Sequence, residues 1–235
     1  MKFFSYDSRF SQVMLKVCYA CCLNLLWAVC SIPIFTIGAA TAAMYDVSLK
    51  IVRDEEYYIA QNFFRAFRSN FKQATQIWLI LLGIGVFLAG DGYVLYHLRA
   101  TSTGTPAVIW TLILALVIAA AVVYVIVLLY VFPLVASVKN TNRAMLVNSF
   151  LIGTHYLFAT ILLFAVHFAM FFLVVRIFTP LIIFGEGACA LISAFLLNRI
   201  LISVSYNPED DEEDDEDEDE DEDEEDEEVR EDALP

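Results

Sequence analysis

The side chains of this chain that could do chemistry are few, and they stand among apolar residues. His155 and His167 are twelve residues apart, and on one helix this separation turns them about 120° from each other at about 3.6 residues per turn. Such a pair makes a poor metal site, because metal ligands must converge on one point. Cys18, Cys21 and Cys22 could share a helical face, so a metal site there is an open alternative. Their apolar surroundings favour small packing residues instead.

No motif for nucleotide binding or hydrolysis is present in the sequence. The glycines between residues 83 and 92 are not followed by Lys-Ser or Lys-Thr, so they form no phosphate-binding loop. They are better suited to close helix packing. No Ser, His and acidic set can be assembled either. We therefore predict no catalytic, cofactor-binding or metal-binding residue, no nucleic-acid partner, and no enzymatic activity.

The elements that must position these side chains are long apolar stretches. Hydrophobic residues make up 59% of the chain and the mean hydropathy is +0.65, whereas soluble domains are about 45–50% apolar. A helix of about 20 apolar residues crosses a hydrocarbon core about 30 Å thick. Five stretches have that length, at residues 13–32, 74–96, 107–135, 149–175 and 181–203. We predict an all-α, polytopic transmembrane bundle over residues 1–208, with the lipid bilayer as its first partner.

Three polar residues within these stretches are candidate functional positions. A central charged residue costs at least about 2.5 kcal/mol on insertion scales, so polar residues inside a membrane are candidates by default. Asn24 lies in the middle of the first stretch, where a hydrogen bond between helices is the simplest role. His167 is either a hydrogen-bonded packing residue or a proton relay. Glu186 lies deep or near the surface, depending on where the fifth stretch begins.

The connection between the first two stretches contains a candidate interaction face. Residues 34–50 are not expected to cross the membrane, but their small residues let helix backbones approach closely. Residues 55–73 are predicted to form an amphipathic cytoplasmic helix, with aromatic residues at every fourth position from Phe63. Arg65, Arg68 and Lys72 face elsewhere. Such a helix lies in the inner headgroup layer or packs beneath the bundle with solvated charges.

The charge of the chain is divided between its body and an acidic tail. Residues 1–208 hold thirteen basic and seven acidic side chains, a net charge of +6, whereas the whole chain has a net charge of −15. Residues 209–235 contain twenty-two acidic side chains, and such a run repels itself and is predicted to be disordered. The tail is either a solubilising appendage or a ligand for a basic surface. That surface would belong to a partner protein or be the Arg65, Arg68 and Lys72 face.

The distribution of basic residues predicts an orientation, since cytoplasmic loops are enriched in Lys and Arg. With five spans, eight basic residues fall on one side and five on the other. This places the amino terminus outside and the acidic tail in the cytoplasm. A sixth span within residues 34–50 would change the assignment and is not expected.

Two runs of sequence are distinctive. The first comprises NLLW at 24–27, SIPIFTIGAA at 31–40 and AMY at 43–45, and the second comprises FFRAF at 63–67 and NFKQA at 70–74. Both runs resemble hallmarks of the YesL-like family of bacterial multi-span membrane proteins. The resemblance implies a protein of the plasma membrane of Gram-positive-type bacteria, often encoded beside carbohydrate uptake systems, and it supplies no activity or site residue.

Two functions follow as expectations. The first is a non-enzymatic accessory or regulatory partner of carbohydrate transporter subunits. The second is a small transporter or permease subunit. A polar cavity at Asn24, His167 or Glu186 would favour transport, whereas an apolar bundle with a marked cytoplasmic surface would favour the accessory role.

Overall fold

The computed structural model describes residues 9–53, 55, 58–176 and 182–205, and every regular element in these ranges is helical. The helices are α1 (Arg9–Cys30), a short 3₁₀ turn (Ile34–Thr36), α2 (Ile37–Val52), α3 (Ile59–Thr101), α4 (Thr105–Ser137), α5 (Asn142–His155), α6 (Leu157–Arg176) and α7 (Ile182–Ser205). Within the described residues, five segments are long and apolar enough to cross a membrane: Ile34–Val52, Ile59–Thr101, Thr105–Ser137, Leu157–Arg176 and Gly185–Ile202. The predicted all-α transmembrane bundle is confirmed. The predicted tail, 209–235, lies outside the described residues.

The five segments are not the five that were predicted. Ile34–Val52, which was expected to be a connection, qualifies by length and composition. In α1, the apolar part Met14–Cys30 is shorter than any of these five segments. Segment Ile34–Val52 is also distinct in its surroundings, since 67% of its apolar window is buried, compared with 6% in α4. It is an interior helix, and its many small residues made it look less apolar than a lipid-facing span.

Helices α1 and α2 form an antiparallel hairpin. The chain turns between Cys30 and Thr36, where the Thr36 hydroxyl donates to the Cys30 carbonyl oxygen at 2.6 Å. Above this turn, Trp27 Nε1 donates to Thr41 Oγ1 at 3.0 Å and joins the two helices. The start of α1 and the end of α2 therefore lie at the same end of the hairpin. The sequence-based orientation placed these two ends on opposite sides of the membrane, and the side on which each terminus lies stays a prediction.

The contact between α2 and α3 depends on Gly38. A Cβ atom at this position would lie 2.5 Å from Trp78 Cβ and 2.6 Å from the Ala74 carbonyl oxygen. Trp78 Nε1 also donates to the Ile34 carbonyl oxygen at 2.8 Å. Because real Cβ contacts are longer than this, only glycine lets the two backbones come so close.

Helix α3 joins two elements that were predicted to be separate. It has 43 residues, which gives a length of about 64 Å at about 1.5 Å per residue, roughly twice the hydrocarbon thickness. The predicted amphipathic helix 55–73 begins at Ile59 and continues into the predicted span 74–96 without a break. No Gly or Pro occurs between residues 59 and 82 to interrupt it.

The predicted span 149–175 is instead divided at Tyr156, between α5 and α6. Helix α5 begins at the capping residue Thr141, whose Oγ1 accepts from the Ala144 N–H at 3.4 Å. Beyond the break, the Thr160 hydroxyl lies 2.7 Å from the Gly153 carbonyl oxygen and 2.9 Å from the Tyr130 hydroxyl of α4. These bonds hold the junction of α5 and α6 against α4.

Candidate functional site

Asn24 joins α1 to α7. Its side chain is buried, and its Oδ1 accepts a hydrogen bond from the Gly187 N–H at 3.0 Å. A Cβ atom on Gly187 would overlap the Ala20 carbonyl oxygen and lie 3.1 Å from Asn24 Cβ. The two backbones are thus in direct contact, and the amide of Asn24 bonds across the crossing point, which is the role favoured for it from the sequence.

Glu186, the neighbour of Gly187, is brought together with His167. The carboxyl group lies within electrostatic reach of His167 on α6 and of Tyr45 on α2. The α6–α7 approach is close here, since a Cβ at Gly185 would lie 3.2 Å from Met170 Cγ, one turn beyond His167. Asn24 and Glu186 therefore lie on contacting segments of α1 and α7, and His167 lies on α6 one turn before the residue that approaches Gly185.

The hydrogen bonding of His167 determines what its ring can do. Nδ1 lies 2.9 Å from the Leu163 carbonyl oxygen, and because a carbonyl oxygen only accepts, Nδ1 carries the hydrogen when the ring is neutral. Nε2 is then the nitrogen that can accept a proton. The Glu186 carboxylate makes no hydrogen bond with any residue that the structure describes.

A line of hydroxyl groups continues from Glu186 along the interface of α2 and α7. Glu186 and Ser193 face the same side of α7, because seven residues rotate a helix by nearly two full turns. Ser193 and Ser48 are fully buried, and neither Oγ has a hydrogen-bond partner of good geometry among the described residues. The Tyr45 hydroxyl, one turn before Ser48 on α2, interacts with the Ser193 side chain.

This line ends at a polar contact between the ends of the two helices. Arg53 Nε donates to Asn198 Oδ1 at 2.8 Å. We name Tyr45 and Ser193, which interact across the two helices, the hydroxyl track. Sequence reasoning missed the track, although Glu186, Cys189 and Ser193 show the spacing of residues on one helical face. What the sequence did not show is that α2 lies opposite this face.

The other predicted site, Arg65, Arg68 and Lys72, is a stripe on α3. The three side chains are exposed and lie within about 60° of each other around the helix. On another side of the helix, Phe63 is buried and stacks on Phe67 with ring centroids 6.3 Å apart. We name Arg65, Arg68 and Lys72 the basic stripe.

The α4–α5 loop extends the basic stripe. Gln73 Nε2 donates to the Asn140 carbonyl oxygen at 2.6 Å, and Asn142 Nδ2 donates to Gln76 Oε1 at 2.9 Å. These bonds bring Lys139 and Arg143, both exposed, close to the end of the stripe at Lys72. Five basic side chains are thus gathered on the amino-terminal side of the exposed apolar residues Leu79 and Ile80 of α3.

An open cavity of about 390 Å³ lies at the other end of the basic stripe. Lys50, Glu55, Asn62 and Arg65 line it. Lys50 is already paired with Asp46 at 2.8 Å, so Arg65 is the basic group of this cavity without a carboxylate partner among the described residues.

The described residues include no group of three or more His, Cys, Asp or Glu side chains that could hold a metal ion. Cys18 and Cys22 are exposed and Cys21 is partly exposed, and all three are free thiols. The cysteine-rich turn of α1 therefore shows no ligand set.

Together these features define a class: a polytopic helical membrane protein with polar residues at a buried helix junction and a basic belt at one end. Residues 20–91 match the model of a family described as "Protein of unknown function, DUF624", which is the YesL-like family. The match covers less than a third of the chain and includes Asn24, the basic stripe and most of α1–α3. The comparisons with curated proteins and with solved structures found no match.

Proposed function

We propose that this protein is a non-enzymatic accessory or regulatory partner of a carbohydrate uptake system in the bacterial plasma membrane. The observation that supports this most is the basic stripe, with Lys139 and Arg143 beside it. None of these five side chains forms an ion pair with a described residue. Five positive charges with no ion-pair partner among the described residues fit an acidic surface of a partner protein, since charge complementarity speeds association and selects the partner.

The stripe is also rigidly held. It lies on an uninterrupted helix that is packed on α2 through Phe63 and Gly38 and is bonded to the α4–α5 loop through Gln73 and Gln76. A preformed face loses little conformational freedom when it binds. The carbohydrate-specific part of the proposal follows from the family resemblance, and the acidic tail supplies a second element that suits a basic surface of the same assembly.

We further propose that the basic end of the bundle faces the cytoplasm, with the amino terminus and the tail on that side. The α1–α2 hairpin places the start of α1 beside the end of α2, and α7 brings Asn198 to Arg53 at this end. With the amino-terminal residues on this side, eleven basic residues of the body are cytoplasmic and only Arg99 and Arg176 are outside. This distribution is more asymmetric than eight against five and fits the enrichment of Lys and Arg in cytoplasmic loops better.

Site-specific photocrosslinking in native membranes tests the docking proposal. A photoreactive residue at Ser69, which is exposed beside the stripe, should form adducts with solute-uptake components. The same residue at Phe87, exposed on the apolar half of the same helix, should not. Replacing Arg65, Arg68 and Lys72 with Glu should remove the Ser69 adducts, and deleting residues 209–235 should weaken them. Equal adduct patterns at the two positions would refute the proposal.

The second candidate, a small transporter or permease subunit, is favoured by the meeting of Asn24, His167 and Glu186 inside the bundle. Purified protein in lipid vesicles would then confer solute uptake alone, and Glu186→Gln would reduce that uptake. Uptake only in the presence of other subunits would support the accessory role.

A further inference from the structure

Two phenylalanine side chains of α3 are exposed beside the basic stripe. Phe64 is 46% exposed and Phe71 is 37% exposed. They are seven residues apart, which is about 20° short of two helical turns, so they lie along one line of the helix. Arg65 and Lys72 form a second line of the same length, about 100° around the helix, and Arg68 lies between the two lines. We name Phe64 and Phe71 the phenylalanine pair.

The phenylalanine pair lies outside the hydrocarbon core of the bilayer. The apolar stretch of α3 begins at Ile77, after the basic stripe. Phe71 and Phe64 precede Ile77 by about 9 Å and about 20 Å along the helix axis, at about 1.5 Å per residue. The headgroup layer on each side of a bilayer is about 5–8 Å thick. Lipid chains therefore do not account for the exposure of either ring, and Phe64 lies beyond the headgroups as well.

The phenylalanine pair is held in place by the rings beneath it. Phe63 is fully buried, and its ring contacts that of Phe64 edge-on with centroids 5.8 Å apart. Phe63 also stacks on Phe67 at 6.3 Å, and Phe67 contacts Phe71 edge-on at 5.4 Å. Four rings thus connect the exposed pair to the core. Side chains held in this way lose little conformational freedom on binding, so they suit the centre of a protein interface.

The spacing of this surface indicates what kind of element fits it. Exposed apolar side chains rimmed by charges mark a site of protein interaction. An occupant must bring apolar groups to the phenylalanine pair and acidic groups to the basic stripe. The two rings are separated by about 10.5 Å along α3, which equals seven residues of a second helix. It falls between the two-residue and four-residue repeats of a strand, about 6.7 and 13.4 Å. A helix packed along α3 therefore fits better than a strand.

We propose that the phenylalanine pair and the basic stripe together receive an acidic amphipathic helix of the partner protein. Two apolar side chains of that helix, seven residues apart, pack on Phe64 and Phe71. Acidic side chains beside them lie against the basic stripe, as charged residues do at the edges of a coiled-coil seam. This inference rests on the proposed function, because it names the element that docks on the stripe. The aromatic contacts supply affinity, and the charges supply speed and selection.

A designed peptide tests the surface on the full chain in lipid nanodiscs. The probe is a fluorescent helical peptide with leucine once in each heptad and glutamate on either side, and its binding is measured by anisotropy. Phe64→Ala combined with Phe71→Ala should weaken binding at least about tenfold, equal to about 1.4 kcal/mol. Phe87→Ala is the matched control, because Phe87 is 67% exposed on the apolar half of the same helix. It should bind as the unchanged protein does.

A second peptide, with serine in place of leucine, needs no change in the protein and so keeps the test valid if the double variant does not fold. It should bind the unchanged protein at least about tenfold more weakly than the leucine peptide. Equal binding of the two peptides, or equal effects of the Phe87 variant and the phenylalanine-pair variant, would overturn the inference. So would a failure of the leucine peptide to bind the full chain.

The outcomes separate this inference from the proposed function. If replacing the basic stripe with Glu abolishes peptide binding while the phenylalanine-pair variant binds normally, the electrostatic docking face stands and the amphipathic helix is wrong. If the leucine peptide binds as expected but Ser69 yields no adducts with uptake components in native membranes, the helix-binding surface stands and its proposed partner is wrong.

A spin label distinguishes a protein-binding surface from one that rests on lipid. Phe64→Cys would carry a nitroxide in a variant whose native cysteines are replaced by alanine. A water-soluble nickel chelate should relax this nitroxide more than oxygen does, because the position lies beyond the headgroups. Stronger relaxation by oxygen, which concentrates among acyl chains, would show that the ring at position 64 inserts into the bilayer, and the inference would be overturned.

Discussion

Substitution of Gly187 by alanine should destabilise the protein by separating α1 from α7. The new Cβ would overlap the Ala20 carbonyl oxygen, a backbone atom that cannot rotate away. Overpacking of this kind costs about 1–3 kcal/mol. The hydrogen bond from Gly187 N–H to Asn24 would also lengthen, which costs about 1 kcal/mol. Replacing glycine with alanine within a helix stabilises the helix by about 0.5–1 kcal/mol. The free energy of unfolding should therefore fall by about 1–3 kcal/mol in total.

Gly90→Ala is the matched control for this substitution. Gly90 lies within α3, and a Cβ there would meet no other atom within 4 Å. The only effect left is the helix preference of alanine, so this variant should be unchanged or stabilised by about 0.5–1 kcal/mol. The same chemical change is thus expected to have opposite signs at the two positions.

Equilibrium unfolding in mixed micelles with increasing dodecyl sulfate would measure both variants. The fluorescence of the three tryptophans, with Trp27 on α1 among them, would follow the unfolding. The midpoint should fall for Gly187→Ala and should not fall for Gly90→Ala. If the two variants unfold at the same midpoint, the contact between α1 and α7 is wrong, and so is the hydrogen bond from the Gly187 N–H to Asn24.

The remaining predictions concern the other contacts. Gly38→Ala should also lower the free energy of unfolding by about 1–3 kcal/mol, and with it the midpoint, because its Cβ would meet backbone and Cβ atoms of α3; a midpoint equal to that of Gly90→Ala would contradict the α2–α3 contact. Thr160→Val should cost about 1–3 kcal/mol by leaving the buried Tyr130 hydroxyl without its partner, and adding Tyr130→Phe should recover part of that loss. Partner crosslinking at the basic stripe should weaken as salt is raised, since the Debye length falls from about 8 Å at physiological ionic strength to about 3 Å at 1 M; salt-independent adducts would exclude an electrostatic face.

The fold class was predictable from the sequence, because the composition and length of an apolar stretch show directly whether it suits the hydrocarbon core of a bilayer. Helices α4 and α6, which are little buried by other helices, are the ones with the highest hydropathy. Segment Ile34–Val52 was missed because other helices surround it, and small residues serve packing there better than large apolar ones. Hydropathy reports lipid contact more readily than burial within protein.

The candidate site was predictable only in part. Asn24, His167 and Glu186 were visible as polar residues in apolar stretches, but their meeting depends on a contact between residues 163 positions apart. The hydroxyl track could not be inferred, because serine and tyrosine are common in membrane helices and are informative only once α2 and α7 are known to face each other. Arg65, Arg68 and Lys72 were visible in the sequence as basic residues on one side of a helix, whereas their junction with Lys139 and Arg143 required the bonds of Gln73 and Gln76.

Cysteine accessibility in intact cells tests most directly the claim that the basic end is cytoplasmic. In a variant with the five native cysteines replaced by alanine, single cysteines would be placed at Ser8, Ser69 and Thr103. A membrane-impermeant thiol reagent should label the Thr103 position in intact cells and the other two only after permeabilisation. Labelling of the Ser69 position in intact cells, or of Ser8 without Ser69, would contradict the orientation and the α1–α2 hairpin on which the proposed docking face depends.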